Sequence, residues 1–197
     1  MAEIGKSIRH NLTRLVDFSG RETREEFWPY AIGLFLLSMA AGILLFIPVM
    51  LDMFDRMGRY FAKHPEGLPR DPGPYPGAQA LPPELMPDMS VIILPSAIVN
   101  LLFVLLLAAA VVRRLHDRDM SGWWAMLPIP FLIFGQFQGQ QAANMMIGRG
   151  QPDPAVMLPA ALSSLLYWVA FIFLVVMLAQ DGSAGTNRYG PDSSRPY

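Results

Sequence analysis

Four long blocks of this 197-residue chain carry no charge, and that segregation narrows the possible folds more than any other feature. Residues 27–51, 89–112, 120–148 and 154–180 contain no Asp, Glu, Lys or Arg. All 15 basic and 16 acidic residues fall outside them. A hydrocarbon layer about 30 Å thick is crossed by about 20 apolar helical residues, so each block is long enough. An ionised side chain at mid-bilayer costs about 2.5–3.5 kcal/mol, which accounts for the segregation. The expected fold is an all-α membrane protein: a bundle of four transmembrane helices with an N-terminal amphipathic helix. Spans are expected at about 27–51, 89–112, 122–145 and 155–179. Residues 1–26 form a cytoplasmic amphipathic segment, 52–88 a Pro-rich extracytoplasmic loop and 181–197 a cytoplasmic tail. The first apolar run begins at Phe27 and is long enough to span, which reads as a signal anchor rather than a cleaved leader.

Composition removes several function classes. There is no cysteine, which excludes disulfides and thiolate metal sites. His10, His64 and His116 are far apart in sequence, so no metal site is expected. With a net charge of −1, nucleic acid is not an expected partner. No cofactor motif is present.

Ile4, Ile8, Leu12 and Leu15 recur at helical spacing, with Lys6, Arg9, His10 and Arg14 largely between them. This predicts a short basic helix lying on the membrane surface. A soluble helix packed on the adjoining loops satisfies the same spacing. The third block is less regular. Its clearly apolar part, residues 122–135, is too short to cross at about 1.5 Å per residue. It must continue, tilted or broken, into a stretch where Gln136, Gln140 and Asn144 share one face. A re-entrant third segment, leaving three spans, is the competing topology. In the second block, Asn100 calls for an interhelical hydrogen bond.

Lys and Arg favour the cytoplasmic side. In the four-span arrangement ten of them, in residues 1–26, 113–118 and the tail, share one side against five on the other. Both termini are therefore expected in the cytoplasm.

Three motif-like clusters fall on that side. Trp28, Trp123 and Trp124 sit where interfacial anchors belong. Arg113 and Arg114 suit the negative end of the second helix. His116-Asp117 is a weak signal for proton transfer, since neighbouring side chains need not touch. An ion-paired knot explains more: Arg21 and Arg24 pairing with Asp117, closed by Asn187 and Tyr189.

At these residues the chain resembles a family of small bacterial inner-membrane proteins, the domain of unknown function 805. The resemblance rests on F-x-G-R-x-x-R-x-x-F-W (Phe18, Gly20, Arg21, Arg24, Phe27, Trp28), R-L-H-D-x-x-x-S-G-W-W (Arg114 to Trp124) and G-x-N-x-Y-G (Gly185, Asn187, Tyr189, Gly190). It covers about residues 15–192. It implies a compact helical membrane domain in a bacterial inner membrane and no particular activity. It marks Arg21, Arg24, Arg114, His116, Asp117, Asn187 and Tyr189 as the candidate cluster. Two departures stand out: Asp119 where such proteins often carry Gly, and a longer Pro-rich loop.

The expected function is non-enzymatic, with no catalytic, metal or cofactor-binding residues. The cytoplasmic cluster either holds the bundle together or docks a protein or an anionic lipid head group. A small oligomeric transporter or channel subunit is the alternative, with Asn100 and the Gln136/Gln140/Asn144 face as its candidate path. Expected partners are membrane lipids, an unidentified membrane or cytoplasmic protein, or further copies of the chain.

Overall fold

The computed structural model describes residues 2–67, 82–85, 90–135, 137–138 and 154–191. Gln136, Gln140 and Asn144 lie outside the described residues, as do 68–81 and 86–88 of the expected Pro-rich loop. Among those described there is no β-strand, only an isolated bridge between Asn187 and Gly190.

The chain opens with α1 (Ala2–Leu12). A loop leads to α2 (Arg24–Lys63), 40 residues and therefore about 60 Å long. Its start is specified locally. The Thr23 hydroxyl accepts from the Glu26 amide, and the Glu26 carboxylate accepts from the Thr23 amide at 3.1 Å. This reciprocal pair satisfies donors that a helix start leaves unpaired. The helix runs through Pro48 and past the end of the charge-free block to Lys63. Beyond Leu51 the pairs Asp52–Arg56 and Asp55–Arg59, each four residues apart, support it. Near its far end Tyr60 is buried and stacks on His64, with ring centroids 4.5 Å apart.

A 3₁₀ turn (Pro83–Leu85) precedes α3 (Ser90–Asp117). The end of α3 is a Schellman motif. The Met120 amide donates to Leu115 O at 3.0 Å and the Asp119 amide to His116 O at 2.9 Å. Asp119 takes the left-handed position, with φ +57. The turn is therefore made without the Gly that similar proteins often carry here, by a residue type that tolerates αL better than most. A shorter apolar helix, α4 (Gly122–Gly135), begins as a 3₁₀ turn with Ser121 as its N-cap. The last helix is α5 (Pro154–Ala179).

Three helices, α2, α3 and α5, are long and apolar enough to cross a membrane; the described part of α4, Gly122–Gly135, is shorter. Trp124 meets Phe173, with centroids 6.0 Å apart, and a Cβ at Gly135 would lie 3.4 Å from Ser163 Oγ. These contacts run α4 antiparallel to α5. The buried core lies at one end: Phe27, Tyr30, Ala110, Val111, Leu115 and Leu178. Tyr30 Oη donates to Leu106 O at 2.9 Å, so its hydroxyl is not left unpaired. Elsewhere the long helices turn Leu37, Leu94, Leu105, Leu165 and similar side chains outward. A soluble bundle points such residues inward. Asn100 does not reach another described helix; its amide donates to Ser96 O of its own helix at 2.8 Å.

Candidate functional site

The core end of the molecule also holds its most polar interior. Arg113 and Glu22 have no exposed surface, and Arg114, Arg21 and Asp117 are nearly as buried. Burying charge is costly unless it is paired and hydrogen-bonded. Here both conditions are met by four chain segments converging on the end of α3.

Arg21 stands in the loop before α2. Its Nε donates to Asp117 Oδ1 at 2.9 Å. Its two terminal nitrogens donate to the carbonyls of Gly185, Ser183 and Asp117. Gly20 precedes it at φ +80, a conformation that L side chains rarely adopt, and this turns Arg21 inward. Arg114 lies on α3. It donates to the other oxygen of Asp117 at 2.6 Å, to Leu178 O at 2.9 Å, to Glu22 O at 3.2 Å and to Gln180 O. Asp117 is thus gripped from both sides. The Ser183 amide and hydroxyl both donate to its carbonyl, at 2.8 and 3.0 Å.

Arg113, one residue earlier, points to the opposite flank. Helical side chains one apart diverge by about 100°, so consecutive arginines serve different partners. Arg113 Nε donates to Glu22 Oε2 at 2.8 Å and its Nη2 to Asn11 Oδ1 at 2.7 Å. Its Nη1 donates to the carbonyls of Arg14 and Asp17. The other Glu22 oxygen, Oε1, is buried and has no hydrogen-bond partner among the described residues. Burial pushes the Glu22 carboxyl above its ordinary range, against the pull of Arg113. On the surface nearby, Ser19 and Arg14 donate to Asp17 and hold its carboxyl well below the usual range.

α5 is also capped by Arg114, together with Arg118 and Arg24. Its last carbonyls lack partners within the helix and carry the negative end of the dipole. Met177 O accepts from Arg118, Leu178 O and Gln180 O from Arg114, and Ala179 O from Arg24.

Of the residues singled out in the sequence, Arg21, Arg114 and Asp117 bond directly. Asn187 donates to His116 O at 2.9 Å, and the Tyr189 ring stacks on His116 with centroids 3.7 Å apart. The Arg188 guanidinium sits over the Tyr189 ring, 4.9 Å from its centre. Arg24 corrects the expectation. It pairs not with Asp117 but with Asp181, at the surface. The Asp117 carboxylate accepts from two guanidiniums, and the neighbouring His116 imidazole lies face to face with the Tyr189 ring. Trp28 packs on the core, while Trp123 and Trp124 remain largely exposed beside the start of α4. Sequence reasoning missed Glu22, Arg113, Asn11 and Ser7 as partners. The available signal was a Glu between two motif arginines, matched by a second Arg on α3.

Beside the cluster lies an open cleft of about 970 Å³, between α1, the first turn of α2 and the tail. Lys6, Arg9, His10, Arg24, Glu25 and Asp181 line its outer part. Among the described residues no group of three His, Asp or Glu converges as a metal site would require.

A family model, described as protein of unknown function (DUF805), matches residues 15–191. No curated protein and no solved structure matches the chain.

Proposed function

The chain belongs to the DUF805 family, and from that premise we propose a non-enzymatic, multi-pass protein of a bacterial inner membrane with a structural arginine clasp at its cytoplasmic end. One observation carries the reading. Arg21, Arg113 and Arg114 each place four hydrogen bonds on acceptors of the protein itself. A guanidinium has five N–H donors, so little remains for a ligand. The acceptors come from α1, the loop before α2, the ends of α3 and α5, and the tail. The clasp therefore ties chain segments together rather than waiting for a substrate. What is left for an anionic head group or partner is the outer rim: Lys6, Arg9 and Arg24.

Topology supports four crossings. α2 begins at the clasp, α3 and α5 end there, and α4 begins there. α5 is 26 residues long, about 39 Å, so Pro154 stands far from the clasp. The described part of α4 leaves the clasp antiparallel to α5, as far as the contact of Gly135 with Ser163. The excess of Lys and Arg on the clasp side favours the cytoplasm for it.

A double-mutant cycle tests the clasp. Arg21→Ala and Asp117→Ala are each expected to cost about 3–5 kcal/mol, because each strands a buried charge. The double variant is expected to be no worse than the harsher single one, read as loss of folded protein in detergent. Strict additivity of the two losses would end the clasp reading.

A further inference from the structure

The helix α1 is built inside out. Its buried side chains are polar: Ser7 is 3% exposed and Asn11 1%. Its apolar side chains face away from the protein: Ile4 is 50% exposed, Ile8 36% and Leu12 48%. Val16 and Phe18 continue that outward apolar edge into the following loop. A third face, with Lys6, Arg9 and Thr13, is exposed and polar. At about 100° per residue the apolar edge lies between the buried face and the basic one.

The polar face is anchored with care. Ser7 Oγ and Asn11 Nδ2 both donate to Glu26 O, and Asn11 Oδ1 accepts from Arg113. Glu26 immediately precedes Phe27, the first residue of the charge-free block. Its carbonyl therefore marks the level at which α2 leaves water. Two hydrogen bonds pin the middle of α1 to that level.

We propose that the Ile4–Ile8–Leu12 edge of α1 inserts into the head-group region of the bilayer, with Lys6 and Arg9 against anionic lipid phosphates. The occupant follows from position and charge. The edge stands at the level where α2 enters its charge-free block, and just beyond that level Ile32, Phe35 and Leu36 of α2 are likewise exposed. Basic side chains beside an apolar edge suit an anionic leaflet, where each contributes through a field that extends about a Debye length. An interfacial helix of this kind sinks its apolar side about 5–10 Å below the head groups. The inference rests on the multi-pass reading above and adds a defined lipid contact to it.

The chain has no cysteine, so single-cysteine variants can carry a spin label without background. The full chain, reconstituted in nanodiscs of phosphatidylcholine with a minority of phosphatidylglycerol, is labelled at Ile4→Cys, Ile8→Cys, Leu12→Cys or Thr13→Cys. At the three apolar positions collision with oxygen, which concentrates in lipid, should exceed collision with an aqueous nickel chelate several-fold. At Thr13 the ratio should reverse. Adding Lys6→Gln and Arg9→Gln to Ile8→Cys should make the label shallower when phosphatidylglycerol is present and leave it unmoved in phosphatidylcholine alone. An Ile8 label as nickel-accessible as the Thr13 label would overturn the proposal. So would a label shielded from both reagents, which would mean a second copy or another protein on that edge. An unmoved label in the phosphatidylglycerol discs would remove the anionic contact. Each outcome is read on reconstituted protein and leaves the multi-pass reading intact. That reading fails separately, if the chain stays monodisperse in buffer without detergent.

Discussion

At the residue scale, the clasp shows how two neighbouring charges of one type acquire different tasks. Arg113 and Arg114 are indistinguishable as letters, and only the motif drew notice to Arg114. Their separation around α3 sends one to Glu22 and Asn11, the other to Asp117 and α5. Arg21 and Asp117 were legible because each lies in a motif beside an apolar block. Arg24 was misassigned because spacing along a sequence does not say which residues face inward. It stands at the first position of α2, near Asp181, and that pair is about half or more exposed. An exposed pair contributes about 0–1 kcal/mol. Glu22 is the clasp's pH-dependent member. Its raised pKa means that the folded chain holds the proton more tightly than the unfolded chain. Its contribution to stability is complete below 4.5, its ordinary value, and is lost as pH rises through the folded value. Oε1, which accepts no hydrogen bond among the described residues, is the oxygen available for that proton. The difference in unfolding free energy between wild type and Glu22→Gln should therefore shift against the wild type as pH rises from 4.5, then level off. A difference that does not change with pH would sink this assignment. Asp119 allows a second residue-level test. Its φ of +57 strains a non-glycine residue, and its bond to Arg188, at 3.1 Å, is exposed. Asp119→Gly should be neutral or stabilising by up to about 1 kcal/mol in thermal unfolding, since relief of the αL strain outweighs a weak ion pair.

At the scale of elements, the charge-free blocks predicted where apolar helices would lie but not where they would stop. Block ends mark the first charge, and a helix ends where its backbone loses partners. α2 passes Leu51 because paired Asp and Arg residues are compatible with helix in water. α3 passes Val112 because Arg113, Arg114 and Asp117 find buried partners before the turn at Asp119. The polar anchoring of α1 was not legible at all. Ser7 and Asn11 fit a basic amphipathic helix as ordinary spacers, and only the fold reveals the acceptors at Glu26. The junction of α3 and α4 is set by a close approach. A Cβ at Gly122 would lie 2.7 Å from Val112 Cγ1, nearer than such atoms come. Gly122→Ala should therefore displace the 3₁₀ turn and destabilise by about 1–3 kcal/mol, the usual range for overpacking. Removing the obstacle should restore it. The Gly122→Ala/Val112→Ala double variant is expected to be more stable than the sum of its singles. If the two losses add without recovery, the contact is not what requires glycine there.

At the scale of the whole molecule, the arrangement is a polar interior at one end and apolar exteriors along the rest. That is the reverse of a soluble bundle, and it follows from a solvent that changes along the molecular axis. In hydrocarbon the helices need no apolar core, because lipid is as apolar as leucine. Association must come from close packing and hydrogen bonds. The clasp supplies the latter where water is near enough to lower the cost of charge. It also fixes which ends meet: residues before α2, the end of α3 and the tail after α5 share contacts through Arg21, Arg113 and Arg114. On the proposed multi-pass reading those segments share one side of the membrane, while the turn after α2 lies about 60 Å away along a 40-residue helix. A membrane-impermeant maleimide can read this in intact cells. Thr13→Cys and Thr186→Cys should be labelled only after the cytoplasm is opened, and Glu66→Cys should be labelled without opening. All three positions are exposed, so labelling reports side rather than burial. Labelling of Thr13 and Thr186 from opposite sides would break the clasp as well as the topology, since no arginine can bond across a bilayer. Labelling of all three in the reverse sense would keep the clasp and invert only the orientation drawn from the positive charges.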